Sequence, residues 1–270
     1  FDQKPEEVQT EQENQEEETQ VVSNPNIRVL LMTDGYKNTI HPSVTVSSTS
    51  GLSITYGEKV EECEAGTEVT FMPDDSRFQS GNIRIQAKEG EITVNSLKRG
   101  YGSPSYQGIL ELRTTAEGIA IINELPVENY LCRVVPSEMP SGYEIEALKA
   151  QAVASRTYAL GRINAGTDLC DTVHCQVYRS DNISKKVKDA VNDTKGQVLL
   201  YDGNLAAHAL FFSSSAGKTE NSQDVFSGTF PYLVSVSSSY EPGATHKKET
   251  QTMTISQFAE IIRTAFPKLN

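Results

Sequence analysis

The sequence predicts an α+β fold, and three observations carry that expectation. Short runs rich in β-branched and aromatic residues fill positions 26–123. A Gly- and Pro-free run at 143–160 is dense in Ala, Leu, Glu, Lys and Gln. Strand-like runs then return after it. Strands, one central helix and more strands do not alternate as a parallel βαβ chain would.

The elements follow in order. Runs at 27–32, 44–46, 52–56, 68–72 and 83–87 read as strands. Turn formers separate them at Asp34-Gly35, Ser50-Gly51, Pro73-Asp74-Asp75 and Glu89-Gly90. A run at 106–113 pairs naturally with 119–123 across Glu117-Gly118. The helix at 143–160 has Ser141 as its expected cap, with Glu144 three residues on, and Gly161 as its expected stop. A short helix is expected at 183–190, two strands at 197–201 and 205–212, and a closing helix at 255–265. There is no clear internal repeat.

Composition bounds the function. The 270 residues carry a formal net charge of −12, and a pI near 4.9 argues against nucleic acid as the main partner, since phosphate binding wants a basic face. Much of the acidity is local: residues 1–20 hold eight acids against one base. Residues 1–24 therefore read as a disordered acidic linker, too poor in apolar groups to offset its ordering entropy. Residues 25–270 are expected to hold the working region, with 40–105 as a candidate strand-rich lobe of its own. No apolar run reaches the roughly 18 residues that would span a bilayer. The start at Phe1 reads as a fragment or processed form, with any export signal or anchor upstream.

The central helix gives the first chemical clue. At about 100° per residue, Ile145, Lys149, Ala152, Val153, Arg156, Ala159 and Leu160 share one face. Burying Lys149 and Arg156 is costly unless anions meet them. Two readings stay open: a structural ion-pair network, or a cleft holding an anionic, hydroxyl-rich ligand. Glu138 lies between Pro136 and Pro140, in a segment expected to be stiff and non-helical. It suits a general acid/base, although residue chemistry alone ranks it no higher than Glu144 or Glu146.

Three ordered stretches, 121–131, 134–140 (Val-Val-Pro-Ser-Glu-Met-Pro) and 146–160, resemble the stage II sporulation protein D family. The likeness continues through 170–178, 213–220 and 230–236 and covers about 105–240 firmly. It implies a peptidoglycan lytic transglycosylase that cuts the β-1,4 bond between N-acetylmuramic acid and N-acetylglucosamine. Such an enzyme leaves 1,6-anhydro ends and acts on glycan strands stripped of stem peptides by a partner amidase during engulfment. The family's catalytic glutamate falls on Glu138, and its helix cations on Lys149 and Arg156. One carboxyl suffices for this reaction, because the muramyl C6 hydroxyl is the nucleophile. That carboxyl must be protonated at rest, so burial is expected to raise its pKa. Arg156 is accordingly expected on the substrate rather than on resting Glu138.

The resemblance places further sugar contacts at Gln176, Tyr178, Ser214, Ser215, Thr219 and Tyr232, with Tyr178 and Tyr232 as stacking surfaces in a chain without Trp. The alternative for the Ser-rich loop is a flexible polar turn. Where the family usually has Ser-Gly-Gly, this chain has Ser215-Ala216-Gly217. No Gly-x-Ser-x-Gly elbow points to a serine hydrolase here. Cys170 and Cys175 flank His174, and three states stay open for them: a structural zinc with a distant His208 or His246, a local disulfide, or free thiols. Cys63 and Cys132 are expected buried or unpaired. The chemistry itself requires no cofactor. An extracytoplasmic location, with membrane contact only through an unseen N-terminal anchor, completes the implication. The alternative function is a non-catalytic cell-wall binding module that stimulates an amidase.

Overall fold

The computed structural model describes residues 24–179, 183–212, 215, 217–238 and 250–267. Apart from Asn24, the linker expected at 1–24 lies outside the described residues. Strands β1 (Asn26–Leu31), β2 (Ile40–His41), β3 (Val44–Ser47), β4 (Leu52–Tyr56), β5 (Lys59–Cys63) and β6 (Val69–Phe71) come first. They are followed by β7 (Ile83–Ala87), β8 (Ile92–Val94), β9 (Ser105–Tyr106), β10 (Ile109–Thr115) and β11 (Gly118–Pro126). Helices α1 (Val127–Glu138) and α2 (Ile145–Asn164), strand β12 (Leu169–Cys170) and helix α3 (Lys185–Asp193) form the middle. Strands β13 (Leu200–Tyr201) and β14 (Asn204–Leu205) and helices α4 (Ser222–Val225) and α5 (Ile255–Ala265) close the chain. The fold is α+β.

The chain divides into two units, Phe1–Ala209 and Leu210–Asn270. In the first, one sheet has the order β12-β1-β11-β10-β7-β4-β5, with β2 also on β11, and a second has the order β6-β3-β8-β9. Residues 40–105 thus contribute β4, β5 and β7 to the same sheet as β1, β10 and β11. The alternation that marks 27–31 as a strand is what buries it: Ile27, Val29 and Leu31 are buried, and the residues between them are not. The hairpin β10–β11 turns at Thr115 and Gly118, as expected.

Strand β11 runs directly into α1, whose first amide is held by the Pro25 carbonyl at 2.9 Å. Residues 134–138 are helical, which corrects the expectation of a stiff extended segment. Pro136 sits in the last turn, where its missing N–H leaves open only one backbone bond. The Ser137 hydroxyl donates to the Arg133 carbonyl at 2.6 Å, and the Met139 amide closes the turn on Val135. Val127, Tyr130, Leu131, Val134 and Val135 of α1 are buried, as are Leu148, Ala152, Ala159 and Leu160 of α2.

The central helix is shifted from its expected span. Glu144, not Ser141, precedes it, with no side-chain cap. Gly161 lies inside rather than at the end. A Cβ there would stand 2.6 Å from Ala207 Cβ, so glycine is kept for close packing rather than for stopping the helix. The strands expected at 197–201 and 205–212 shorten to β13 and β14, paired across Asp202 and Gly203.

In the second unit, α5 carries a capping box: Thr254 accepts from the Gln257 amide while Gln257 accepts from the Thr254 amide. Among the described residues no helix is long and apolar enough to cross a membrane.

Gly161→Ala tests the close approach. Alanine gains about 1 kcal/mol of helix propensity, but overpacking costs about 1–3 kcal/mol. The urea midpoint is expected to fall; a rise would show that Ala207 yields freely.

Candidate active site

Glu138 ends α1 half-buried, and its carboxylate Oε1 accepts the Val177 amide at 2.6 Å. Burial raises its pKa and the amide opposes this; burial wins. Among the described residues no ion pair reaches it. The direction of the shift is the one expected from the sequence, and a helix end, not a proline-stiffened loop, presents the carboxyl.

The Val177 amide is there because the segment around it is tied down on both sides. Asp171, fully buried, accepts from the Met32 amide at 3.1 Å and from Arg99 at 2.8 Å. Burial outweighs the arginine and lifts the Asp171 carboxyl to about 6. Gln176 is buried, accepting from the Tyr130 hydroxyl at 3.1 Å. Tyr178 is buried between Tyr106 and Tyr130, its ring 5.7 Å and 5.1 Å from theirs, and donates to Asn123 at 2.7 Å. With residues 176 and 178 both directed into the core, the amide between them is left facing the end of α1.

Gln176 and Tyr178 are therefore corrected from sugar contacts to anchors: each is about 1% exposed and neither offers a face to a ligand. Arg156 is likewise corrected. It is 1% exposed and lies in a bidentate pair with Glu128, Nε to Oε1 at 2.8 Å and Nη2 to Oε2 at 2.7 Å. It also donates to the carbonyls of Gln197 at 3.1 Å and Val191 at 3.3 Å. The ion-pair network, one of the two readings left open, is what the helix holds. The expectation that Arg156 avoids Glu138 holds; its contact with substrate does not. Lys149 bridges Glu146 at 3.0 Å and Asp193 at 3.2 Å. Glu128 was not singled out by sequence; its place in the first turn of α1, 28 residues before Arg156, gave no local pattern.

Cys170 and Cys175 come together with their sulfurs 3.0 Å apart, and the Cys170 amide donates to Cys175 Sγ at 3.2 Å. Burial pushes the Cys175 thiol up to about 11, so it is protonated at neutral pH. All four cysteines are free. Zinc needs a third and fourth ligand, and among the described residues no three His, Cys, Asp or Glu side chains gather for a metal. His174 and His208 do not complete a set with the cysteines, and His246 lies outside the described residues. Among the described residues the donors at this loop do not make up a zinc set.

The remaining expected contacts belong to the second unit. Ser214 lies outside the described residues. Ser215, Thr219 and Tyr232 border an apolar groove of about 780 Å³ with Phe211 and Phe226 among its walls. The Thr219 hydroxyl is committed within the fold: it donates to the Val234 carbonyl at 3.1 Å and accepts from the Val236 amide at 2.8 Å. Thr219 is thus a brace between two chain segments.

Residues 115–201 match the sequence model of a family described as stage II sporulation protein. Stage II sporulation protein D of Bacillus subtilis (strain 168) is 33% identical over 210 residues, which is 68% of this chain and 60% of that protein. The amidase enhancer of Bacillus subtilis (strain 168) is 43% identical over 109 residues, 40% of this chain and 15% of that protein. Stage II sporulation protein D of Bacillus amyloliquefaciens is 34% identical over 159 residues, 52% of this chain and 46% of that protein. The chain spans at most 60% of the length of these relatives.

Removing one partner of the Glu128–Arg156 pair leaves a buried charge, at a cost of about 3–5 kcal/mol. Arg156→Ala is expected to lower the unfolding free energy by that order, and a Glu128→Ala/Arg156→Ala double variant by less than the sum of the singles. Unchanged stability with lost glycan binding would restore the substrate role.

Proposed function

The chain belongs to the stage II sporulation protein D family, and from that premise we propose that it is a cell-wall enzyme of sporulation, a lytic transglycosylase acting on peptidoglycan glycan strands. The observation that carries the reading is Glu138: half-buried, held by one backbone amide, and raised in pKa by burial. A single carboxyl of this kind can serve both proton transfers. Protonated Glu138 donates to the glycosidic oxygen as the bond from C1 to that oxygen breaks. The muramyl C6 hydroxyl then attacks C1, and the Glu138 carboxylate removes its proton. The products are a free 4-hydroxyl on one fragment and a 1,6-anhydro ring on the other, with no water consumed and no metal required for the step. Val177 is suited to this cycle, since its amide hydrogen bond steadies the carboxylate after proton donation.

The proposed substrate is the glycan strand freed of stem peptides, the proposed partner is the amidase that frees it, and the proposed setting is extracytoplasmic, tethered to the mother-cell membrane. A second reading has its own support. The likeness to the amidase enhancer covers 109 residues at 43% identity, and it favours a module that binds cell wall and stimulates an amidase without cleaving glycan.

Digestion of purified denuded strands separates the two. The transglycosylase reading expects soluble fragments with 1,6-anhydro ends, and a loss of about 10²–10⁴-fold in rate for Glu138→Gln. Binding without cleavage by either protein would favour the amidase-stimulating module.

The pH dependence follows from the sign of the shift. The acid form starts the reaction, so the rate falls as pH rises through the Glu138 pKa. Because burial raises that pKa, the fall is expected above the ordinary glutamate value of about 4.3. A high-pH limb at or below that value would count against Glu138 as the acid.

A further inference from the structure

The chemistry at Glu138 leaves the strand-rich part of the first unit without a task, yet that part places an unusual surface close by. Tyr36, just after β1, holds φ +57, a left-handed conformation that a bulky residue adopts only under constraint. Its ring is 40% exposed, and one face is backed by the Arg99 guanidinium, 4.3 Å from the ring centroid. Arg99 is itself immobilised: it donates to the carbonyls of Thr33 and Met32 and to Asp171. Tyr101, two residues on in the loop between β8 and β9, has the Arg179 guanidinium 5.1 Å from its ring centroid. These groups form one neighbourhood, since the Tyr36 phenol is subject to the charges of Arg99 and Arg179 and to Tyr101.

The link to Glu138 is short. Arg179 follows Val177 by two residues, about 7 Å of extended backbone, the scale of one sugar ring. The intervening Tyr178 enters the core and stacks on Tyr106, so the segment carries Arg179 away from Glu138 without a free hinge between them.

We propose that Tyr36, Tyr101 and Arg179 form a glycan subsite beside Glu138, in which the tyrosine rings stack on sugar faces and Arg179 reads a muramyl lactyl carboxylate. The inference rests on the transglycosylase reading for its substrate class and adds to it the group that is recognised. Aromatic rings present flat apolar surface to the C–H faces of sugars, with a polar hydroxyl at the edge. A guanidinium is the side chain best shaped for a carboxylate. On a strand bearing stem peptides the lactyl carboxylate is consumed in an amide and is neutral; on a denuded strand it is an anion. A cation at this position therefore distinguishes stripped from unstripped strands directly, one charge per muramyl residue.

The test is equilibrium binding of soluble denuded glycan fragments, compared with the same fragments after their lactyl carboxylates are converted to methylamides. The full chain is expected to bind the carboxylate form about tenfold or more tightly, the scale of a charge-assisted hydrogen bond. Arg179→Ala should bring the carboxylate form to the affinity of the amide form and leave the amide form unchanged; Arg179→Lys should retain part of the preference. Tyr36→Ala and Tyr101→Ala should weaken both forms alike. Arg179 is exposed and stacks on Tyr101, so the melting temperature of each variant is measured alongside and affinities are compared between folded proteins. Equal affinity of the full chain for the two fragments, or an Arg179→Ala loss that is the same for both, overturns the proposal. Cleavage is scored separately on the same fragments. Carboxylate-selective binding without cleavage sinks the catalytic reading and supports the subsite; cleavage unaffected by Arg179→Ala does the reverse.

Discussion

The buried pair of Glu128 and Arg156 is the constraint on which the arrangement of helices depends. Two charges have been taken out of water on the facing sides of α1 and α2, and nearly every donor and acceptor around them is accounted for. Arg156 meets both carboxylate oxygens and the carbonyls of Val191 and Gln197, while the Gly196 amide adds a 3.3 Å contact to Glu128 Oε1. Val191 belongs to α3, and Gln197 leads towards β13, so one guanidinium ties together α1, α2, the last turn of α3 and the chain beyond it. An apolar pair of the same size could stabilise the fold as well. It could not fix four segments by directional bonds, and the direction of α1 decides where its final residue, Glu138, points.

A second buried pair does the same for the other side of the site. Arg99 and Asp171, with side chains 3% and 0% exposed, join the loop after β8 to the segment that follows β12, and the Met32 amide adds the end of β1. From Asp171 the chain needs only a few residues to reach Val177. Gln176 and Tyr178 are held by Tyr130 and Asn123 on the way. The 2.6 Å contact between Val177 and Glu138 is therefore made between two independently fixed parts, which is the condition that the proposed acid would need.

The order of elements was legible because their signals are local. Alternation in 27–31 and the Ala-rich run in 143–160 each state their own period, and Glu117-Gly118 states a turn. Glu138 was put forward as the acid only through family resemblance, although the expectation of a raised pKa came from the chemistry and agrees with its surroundings. What could not be read was long-range pairing. Amphipathic spacing put Arg156 on an inward face, which is correct, but whether that face meets a ligand or a carboxylate depends on Glu128, 28 residues away. Tyr178 and Gln176 failed for the same reason: aromatic and amide groups suit sugars and cores equally, and only the packing against Tyr106 and Tyr130 decides. Gly161 looked like a helix stop because nothing nearby announces Ala207.

The sequestered cations and the raised pKa are connected. A guanidinium or ammonium ion-paired with Glu138 would favour its ionised form and oppose the upward shift that burial gives it. Of the four cations on α1 and α2, three are matched by carboxylates of their own: Arg156 by Glu128, Lys149 by Glu146 and Asp193, and Arg133 by Glu91, the fourth being Arg162 in the last turn of α2. With those charges neutralised locally, the strongest influences left on Glu138 are desolvation and one backbone amide. The amide favours the ionised form but carries no net charge, so burial prevails. In the proposed reaction, which begins with proton donation, the ion pairs thus have a role beyond holding helices together. They hold those cations to carboxylates other than Glu138.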